Sequence, residues 1–163
     1  FGFESGSQRI LDFINKNVTV QQNINAIKQC KKNNIFVDGS FMMGLPTETT
    51  SEMMETARFI KKYKPDSVDV KVFTPYPSTE LYDHCIKKGL IKKPKTLEEW
   101  ERYGDLRGEP NVSKIPTSLL LDTVNKLSKS SYFTYFKKAS LLLASGHLKY
   151  TLFKFRRILK EKI

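Results

Sequence analysis

The chain has 163 residues, with 28 Lys and Arg against 17 Asp and Glu and a formal charge of +11. That length suits one domain with its own core and falls well short of the ~250 residues of a whole eight-stranded (β/α) barrel. Its 39% hydrophobic and 28% charged residues describe a folding chain rather than a disordered one. Cys30 and Cys85 lie far apart in sequence, which excludes a disulfide scaffold, a CxxC zinc site and a cysteine-bound cluster within these residues alone. No apolar run approaches the ~18 residues of a membrane span. The basic charge permits an anionic partner but speaks first to solubility and encounter rates.

The chain opens on Phe1, and Phe1–Glu4 reads as the end of a strand. No basic and apolar leader precedes it, so we expect a cytoplasmic protein and a fragment whose N-terminal partner lies elsewhere. The sequons at Asn17 and Asn111 are then chance matches.

Strand and helix signals alternate. After the Phe1–Glu4 strand, Ser7–Lys16 is helical with Ile10, Leu11 and Ile14 on one stripe. Thr19 caps a second helix carrying Val20, Ile24, Ile27 and Cys30, which Asn33-Asn34 ends. Ile35–Gly44 is the next strand. Thr49-Thr50-Ser51-Glu52 is a capping box that opens a helix with Met53, Ala57 and Ile60 inward. Pro65-Asp66 turns the chain into the strand Ser67–Phe73. Thr79–Lys88 is helical, and Gly89 stops it. This alternation predicts an α/β fold built from βαβ units on a parallel sheet. Residues 93–163 read as a helical, basic C-terminal extension: a turn-rich stretch Lys92–Arg107, then helices near Thr117–Ser130, Tyr132–Ala144 and His147–Ile163.

The strands are two-faced. Ile35, Val37, Phe41 and Met43 share one side, and Phe36, Asp38, Ser40, Met42 and Gly44 the other. In the third strand Val68, Val70 and Val72 oppose Ser67, Asp69, Lys71 and Phe73. The valine side should meet the helices. The Asp38, Asp69 and Lys71 side is then a candidate substrate cavity, wide and wet; the plainer reading is the solvated face of an open sheet.

Ligand sites in parallel α/β folds gather at the C-terminal ends of strands. Here those ends read Glu4-Ser5-Gly6-Ser7, Gly44-Leu45-Pro46-Thr47-Glu48-Thr49 and Thr74-Pro75-Tyr76-Pro77-Ser78-Thr79. Gly44 leaves room for a flat ring, Pro46 stiffens its exit, and Tyr76 offers an aromatic wall. Glu48 reads more simply as a charge near a helix N-terminus and Ser7 as an N-cap. Singly none is specific; one per strand end, in order, they are.

These residues, with Arg9-Ile10-Leu11, Asn15-Lys16 and Glu80-Leu81-Tyr82, resemble the second half of the radical S-adenosylmethionine (radical SAM) core, in the branch that includes methylthiotransferases and cobalamin-dependent cyclases and methylases. The resemblance spans residues 1–91. It implies that residues 1–92 supply the last three units of a partial (β/α)6 barrel. It also implies an enzyme that uses S-adenosylmethionine, a 4Fe-4S cluster held by a CxxxCxxC loop in the missing N-terminal half, and in some members cobalamin. The outcome is radical hydrogen abstraction or methyl transfer. Carried over by position, Glu4 and Ser5 lie near the ribose and methionine parts. Arg9 and Lys16 lie where a base pairs with the methionine carboxylate. Ser40 and Gly44 lie on the strand beside adenine, and Thr74 and Tyr76 at the last strand's edge. Thr47 and Ser78 stand where the family often has glycine. Neither cysteine has CxxxCxxC spacing, so no metal ligand is assigned here, and the chain alone should be inactive and poorly stable with its first strand unpaired. His84 and His147 form no catalytic pair, and neither a GxGxxG nor a P-loop is present.

Leu148, Leu152, Phe155, Leu159 and Ile163 share one helical stripe beside Lys149, Lys154, Arg156, Arg157 and Lys160. Such a helix can dock on the barrel, lie peripherally on an anionic membrane or hold nucleic-acid phosphates. Two other readings stay open beside the enzyme acting on a small or lipid-like substrate: an RNA-directed methylthiotransferase, and a non-catalytic basic module for anionic partners.

Overall fold

The computed structural model describes residues 1–101 and 110–128. They hold three parallel strands, β1 (Gly2–Glu4), β2 (Asp38–Met43) and β3 (Ser67–Val72), ordered β1-β2-β3. Helices α1 (Gln8–Phe13) and α2 (Val20–Lys32) join β1 to β2, and α3 (Thr50–Tyr63) joins β2 to β3. Then come α4 (Glu80–Lys87), α5 (Leu97–Glu101) and a helix over residues 117–128, here α6. All three strands therefore end at one edge of the sheet.

Local chemistry sets the boundaries. Thr19 and Thr49 each close a reciprocal capping box, with Gln22 and Glu52 respectively. Thr79 Oγ1 caps α4 by accepting the Tyr82 N–H at 3.2 Å. Ser7 stands at the N-cap of α1, but its side chain makes no capping bond. Helix α1 stops three residues earlier than its apolar stripe suggests, because Asn15 adopts a left-handed φ of 53°. Strand β2 begins at Asp38 rather than Ile35. The helix-ending turn consumes the intervening residues: Asn34 has φ 54°, and the Ile35 N–H donates to the Cys30 carbonyl. Ile35 is consequently 56% exposed, not a core residue. A short α5 lies where turns were expected. Helix α6 matches its expected position, while the helices expected at Tyr132–Ala144 and His147–Ile163 fall outside the described residues.

The first core cluster joins Phe3, Val37, Phe41, Met43 and Val70 of the sheet to Ile24 and Ile27 of α2, to Met53, Ala57, Phe59 and Ile60 of α3, and to Leu120 and Leu127 of α6. Phe3, Phe41 and Phe59 meet at centroid distances of 5.6–6.2 Å. Burying each such ring is worth ~1.5–3 kcal/mol. The valine face of β3 meets this cluster, as the alternation predicted.

The opposite face is not polar along its whole length. A second cluster of Ile10, Leu45, Phe73, Tyr82, Cys85, Ile91 and Val112 has Met42 and Ile14 packed against it. Helices α1 and α4 thus cover the C-terminal end of that face. Ser40, Asp69 and Lys71 remain exposed or half-exposed nearer the middle, with Ser40 paired in register to Asp69 and Met42 to Lys71. The wide wet cavity expected from alternation narrows here, because Met42 and Phe73 put apolar surface where polar lumen was expected.

Candidate functional site

Helix α1 connects the exits of all three strands. At the β1 exit, Lys16 Nζ donates to Glu4 Oε1 at 3.0 Å, and both side chains are largely sheltered. Glu4 adopts a left-handed φ of 60°, a strained conformation for a side-chain-bearing residue. At the β2 exit, Arg9 Nε and Nη2 bind both carboxylate oxygens of Glu52, while Nη1 and Nη2 donate to Thr47 Oγ1 and Thr47 O at 3.1 and 3.2 Å. Toward the β3 exit, Asn15 Nδ2 donates to Glu80 Oε2 at 3.4 Å, and the Phe13 ring meets His84 edge-on at 5.5 Å.

Electrostatics follow from these contacts. The Arg9 guanidinium, helped by Thr49, holds the Glu52 carboxyl down at about 2. Glu52 in turn raises the Arg9 pKa. Glu48 behaves in the opposite sense: burial pushes it up to about 7, against the pull of the Leu45 and Gly44 N–H groups. Those N–H groups reach Glu48 Oε2 at 3.1 and 2.6 Å, and Oε1 has no hydrogen-bond partner among the described residues. Glu48 is therefore a buried clasp on the β2 exit rather than a surface charge beside the α3 N-terminus.

Several site expectations change character. Ser5 is fully buried, its Oγ 3.0 Å from Thr56 Oγ1 and accepting the Ser7 N–H at 3.1 Å. Its hydroxyl packs β1 on α3 and is spent inside the protein. Arg9 has its planar fork occupied by Glu52 and Thr47, and Lys16 gives one donor to Glu4. Gly44 has φ 83°, yet the space beside its Cα is filled: Leu120 Cδ2 stands 2.8 Å from the place a Cβ would take. The room assigned to a flat ring belongs to α6. Tyr76 is 65% exposed, and its carbonyl accepts the Thr79 hydroxyl at 2.7 Å. Thr74 is half-buried beside it, and Asp38 half-buried at the start of β2. Asp69 Oδ1 and Lys71 Nζ pair at 3.4 Å on the polar part of the sheet.

Neither Glu52 nor Thr56 was among the expected site residues. The capping box announced Glu52 as a helix-start residue, but nothing local ties it to Arg9, 43 positions earlier. Among the described residues no group of His, Cys, Asp or Glu is arranged to hold a metal ion. Cys30 packs at the first core cluster and Cys85 inside the second.

Residues 1–60 match the family described as the Radical SAM superfamily. The chain belongs to the radical SAM superfamily. Similar proteins include an uncharacterised methyltransferase of Pyrococcus horikoshii, 32% identical over 88% of this chain and 29% of that protein. The anaerobic magnesium-protoporphyrin IX monomethyl ester cyclase of Rubrivivax gelatinosus is 35% identical over 86% of this chain and 24% of its own length. A putative methylthiotransferase of Methanocaldococcus jannaschii is 40% identical over 51% and 18%. The chain thus spans under a third of these radical SAM relatives. The parallel sheet and its crossover helices agree with part of a radical SAM barrel.

Proposed function

We propose that the chain forms the strand-exit wall of a radical SAM catalytic domain and that S-adenosylmethionine lies against the end of β1. The Glu4–Lys16 pair carries this reading. Lys16 keeps N–H donors beyond the one given to Glu4, enough for the methionine carboxylate. Glu4 offers a carboxylate to the cosubstrate's ammonium or ribose hydroxyls. Arg9 and Glu48 act one step back: they hold the 44–49 loop that borders the site. Thr74, Tyr76, Ser40 and the Gly44 backbone complete the rim, and Asp69 and Lys71 face the substrate side; Asp38, the first residue of β2, lies at the other end of the strand and is withdrawn from the cavity.

The described residues do not fit a 4Fe-4S cluster, so its ligands are assigned to the rest of the protein. A reduced cluster of that kind would give one electron to the sulfonium of S-adenosylmethionine, breaking its C–S bond to leave methionine and a 5′-deoxyadenosyl radical. The work of this chain is to orient the cosubstrate and to keep bulk water from its sulfonium with the Met42, Phe73 and Tyr82 cluster. Methyl transfer is the favoured outcome, since the methyltransferase-named relative matches along 88% of the chain. No described residue is assigned to cobalamin. The methylthiotransferase reading rests on matches over 51% and 61% of the chain.

The test is anaerobic reconstitution of the whole protein with iron and sulfide, followed by assay for 5′-deoxyadenosine and S-adenosylhomocysteine. Either product supports the proposal; neither, in a protein carrying a full cluster, overturns it. Lys16→Met should raise the KM for S-adenosylmethionine about tenfold or more, as expected for a lost charge-assisted bond.

A further inference from the structure

A second surface lies at the opposite end of the sheet. Helices α2 and α3 cover the same face, and each runs back to the edge where the next strand begins, so their C-termini lie together. Lys31 Nζ donates to the Tyr63 carbonyl at 2.7 Å, which fixes that juxtaposition. Around it stand Lys28, Lys31 and Lys32 from α2 and Arg58, Lys61, Lys62 and Lys64 from α3, all exposed. Residues 17–37 and 56–65 contain no Asp or Glu. Of the adjacent carboxylates, Asp66 is buried, its Oδ2 accepting the Val37 N–H at 2.9 Å, and Asp38, at the start of β2, is half-buried. At the tip of the α2–β2 turn Ile35 projects 56% exposed, just after Asn34 with φ 54°.

Helix dipoles account for Lys31, Lys32, Lys61 and Lys62, since cations are favoured in a last turn. They account equally for Lys64, the C-cap of α3, but not for Lys28, Arg58 or the apolar tip. We propose that this pole docks the protein on an anionic lipid bilayer, with Ile35 entering the headgroup layer and the surrounding cations lying among the lipid phosphates and carboxylates. The composition selects this partner over nucleic acid. Six of the seven cations are lysines, which serve as point charges in a diffuse field; arginine forks are the usual readers of nucleic acid. Tyr63 is half-buried with Lys62 Nζ 5.5 Å from its ring centroid, so it offers no free stacking platform. An exposed isoleucine gains nothing from phosphates and gains from lipid. The docking would leave the strand exits facing away from the membrane, open to a substrate in solution.

The test is sedimentation of the full chain with phosphatidylcholine vesicles, with and without phosphatidylserine, across a salt series. Binding should require phosphatidylserine and weaken as salt rises. Each neutralised lysine should lower partitioning about fivefold, so Lys28→Gln, Lys32→Gln, Lys61→Gln and Lys62→Gln together should abolish it. Ile35→Ser should weaken it severalfold while changing the urea midpoint little, because that side chain is largely exposed and belongs to neither core cluster. Arg156→Gln with Arg157→Gln should leave most of it intact. The proposal fails if neither vesicle binds, if both bind equally, or if the quadruple variant, still folding cooperatively, binds like wild type. It also fails if single-stranded poly(U) binds more tightly than vesicles and ignores Ile35→Ser.

Discussion

Arg9 and Glu52 are joined by a two-pronged ion pair that fastens the start of α1 to the start of α3. Thr47, caught between them by its hydroxyl and its carbonyl, makes the β2 exit loop part of the same clamp. One contact thereby ties two strand exits whose residues are 43 positions apart. Arg9→Met or Glu52→Gln should lower unfolding stability by about 1 kcal/mol, modest because the Arg9 side chain is half-exposed to screening solvent. A charge-reversed double variant, Arg9→Glu with Glu52→Arg, should recover less than half, since Thr47 then loses its donor. Urea midpoints measure all three.

The same pair gives an acid limb. Glu52 sits at about 2 in the folded state and at its ordinary value near 4.5 when unfolded. A depressed carboxyl contributes stability that is full above the unfolded value and lost as pH falls from ~4.5 toward ~2. Wild type should therefore lose stability over that window more steeply than Glu52→Gln, as urea titrations at stepped pH would report.

Glu48 predicts the opposite slope. Its folded value of about 7 lies above 4.5, so its contribution is complete below ~4.5 and is lost as pH rises through ~7. Glu48→Gln keeps an oxygen for the Gly44 and Leu45 N–H groups and carries no charge. The variant should match wild type near pH 4.5 and exceed it above pH 7 by on the order of 2 kcal/mol. Glu48→Ala, which uncovers both N–H groups, should be less stable than wild type by about 2 kcal/mol near pH 4.5, and this deficit should shrink above pH 7 as wild type loses the Glu48 contribution. Equal pH slopes for wild type and Glu48→Gln would remove the buried anion from this account.

Besides Glu4, two strand-exit residues sit in backbone conformations that suit glycine. Thr47 has φ 68° and Ser78 φ 65°. These are the two places where the resemblance to the superfamily implied glycine. Ser78→Gly should stabilise the chain by about 0.5 kcal/mol, the released strain exceeding glycine's entropy cost. Thr47→Gly should come out near neutral, because it also removes the hydroxyl that accepts from Arg9 Nη1. A calorimetric comparison of the two separates strain from clamp.

Gly44 tests packing. With φ 83° and Leu120 Cδ2 in the way, Gly44→Ala should cost about 2–3 kcal/mol. Adding Leu120→Ala should not restore wild-type stability: it relieves the collision but leaves the backbone strain and opens a cavity.

Much of this was readable from short-range pattern. Thr19 and Thr49 open α2 and α3 because an N-cap needs only its own next three residues. The valines of β3 face the helices because alternation is local. The ordered strand-exit segments carried the superfamily resemblance for the same reason. The burial of Ser5 against Thr56, the retreat of Glu48 from the surface and the capture of Arg9 by Glu52 were not readable. Each depends on which distant segment arrives beside a side chain. A capping-box glutamate looks the same whether or not an arginine 43 residues earlier lies next to it.

Sequence by itself therefore determined the elements, their parallel order and the superfamily, since these rest on periodicity, caps and contiguous motifs. The tertiary structure alone decided which polar groups are spent inside the protein and which remain for a ligand. It turned Ser5 inward, filled the space at Gly44 with Leu120, covered Met42 and Phe73 with α1 and α4, and left Lys16 beside Glu4. The reason is that desolvation and hydrogen-bond satisfaction are properties of a place in the fold, and that place is set by long-range packing.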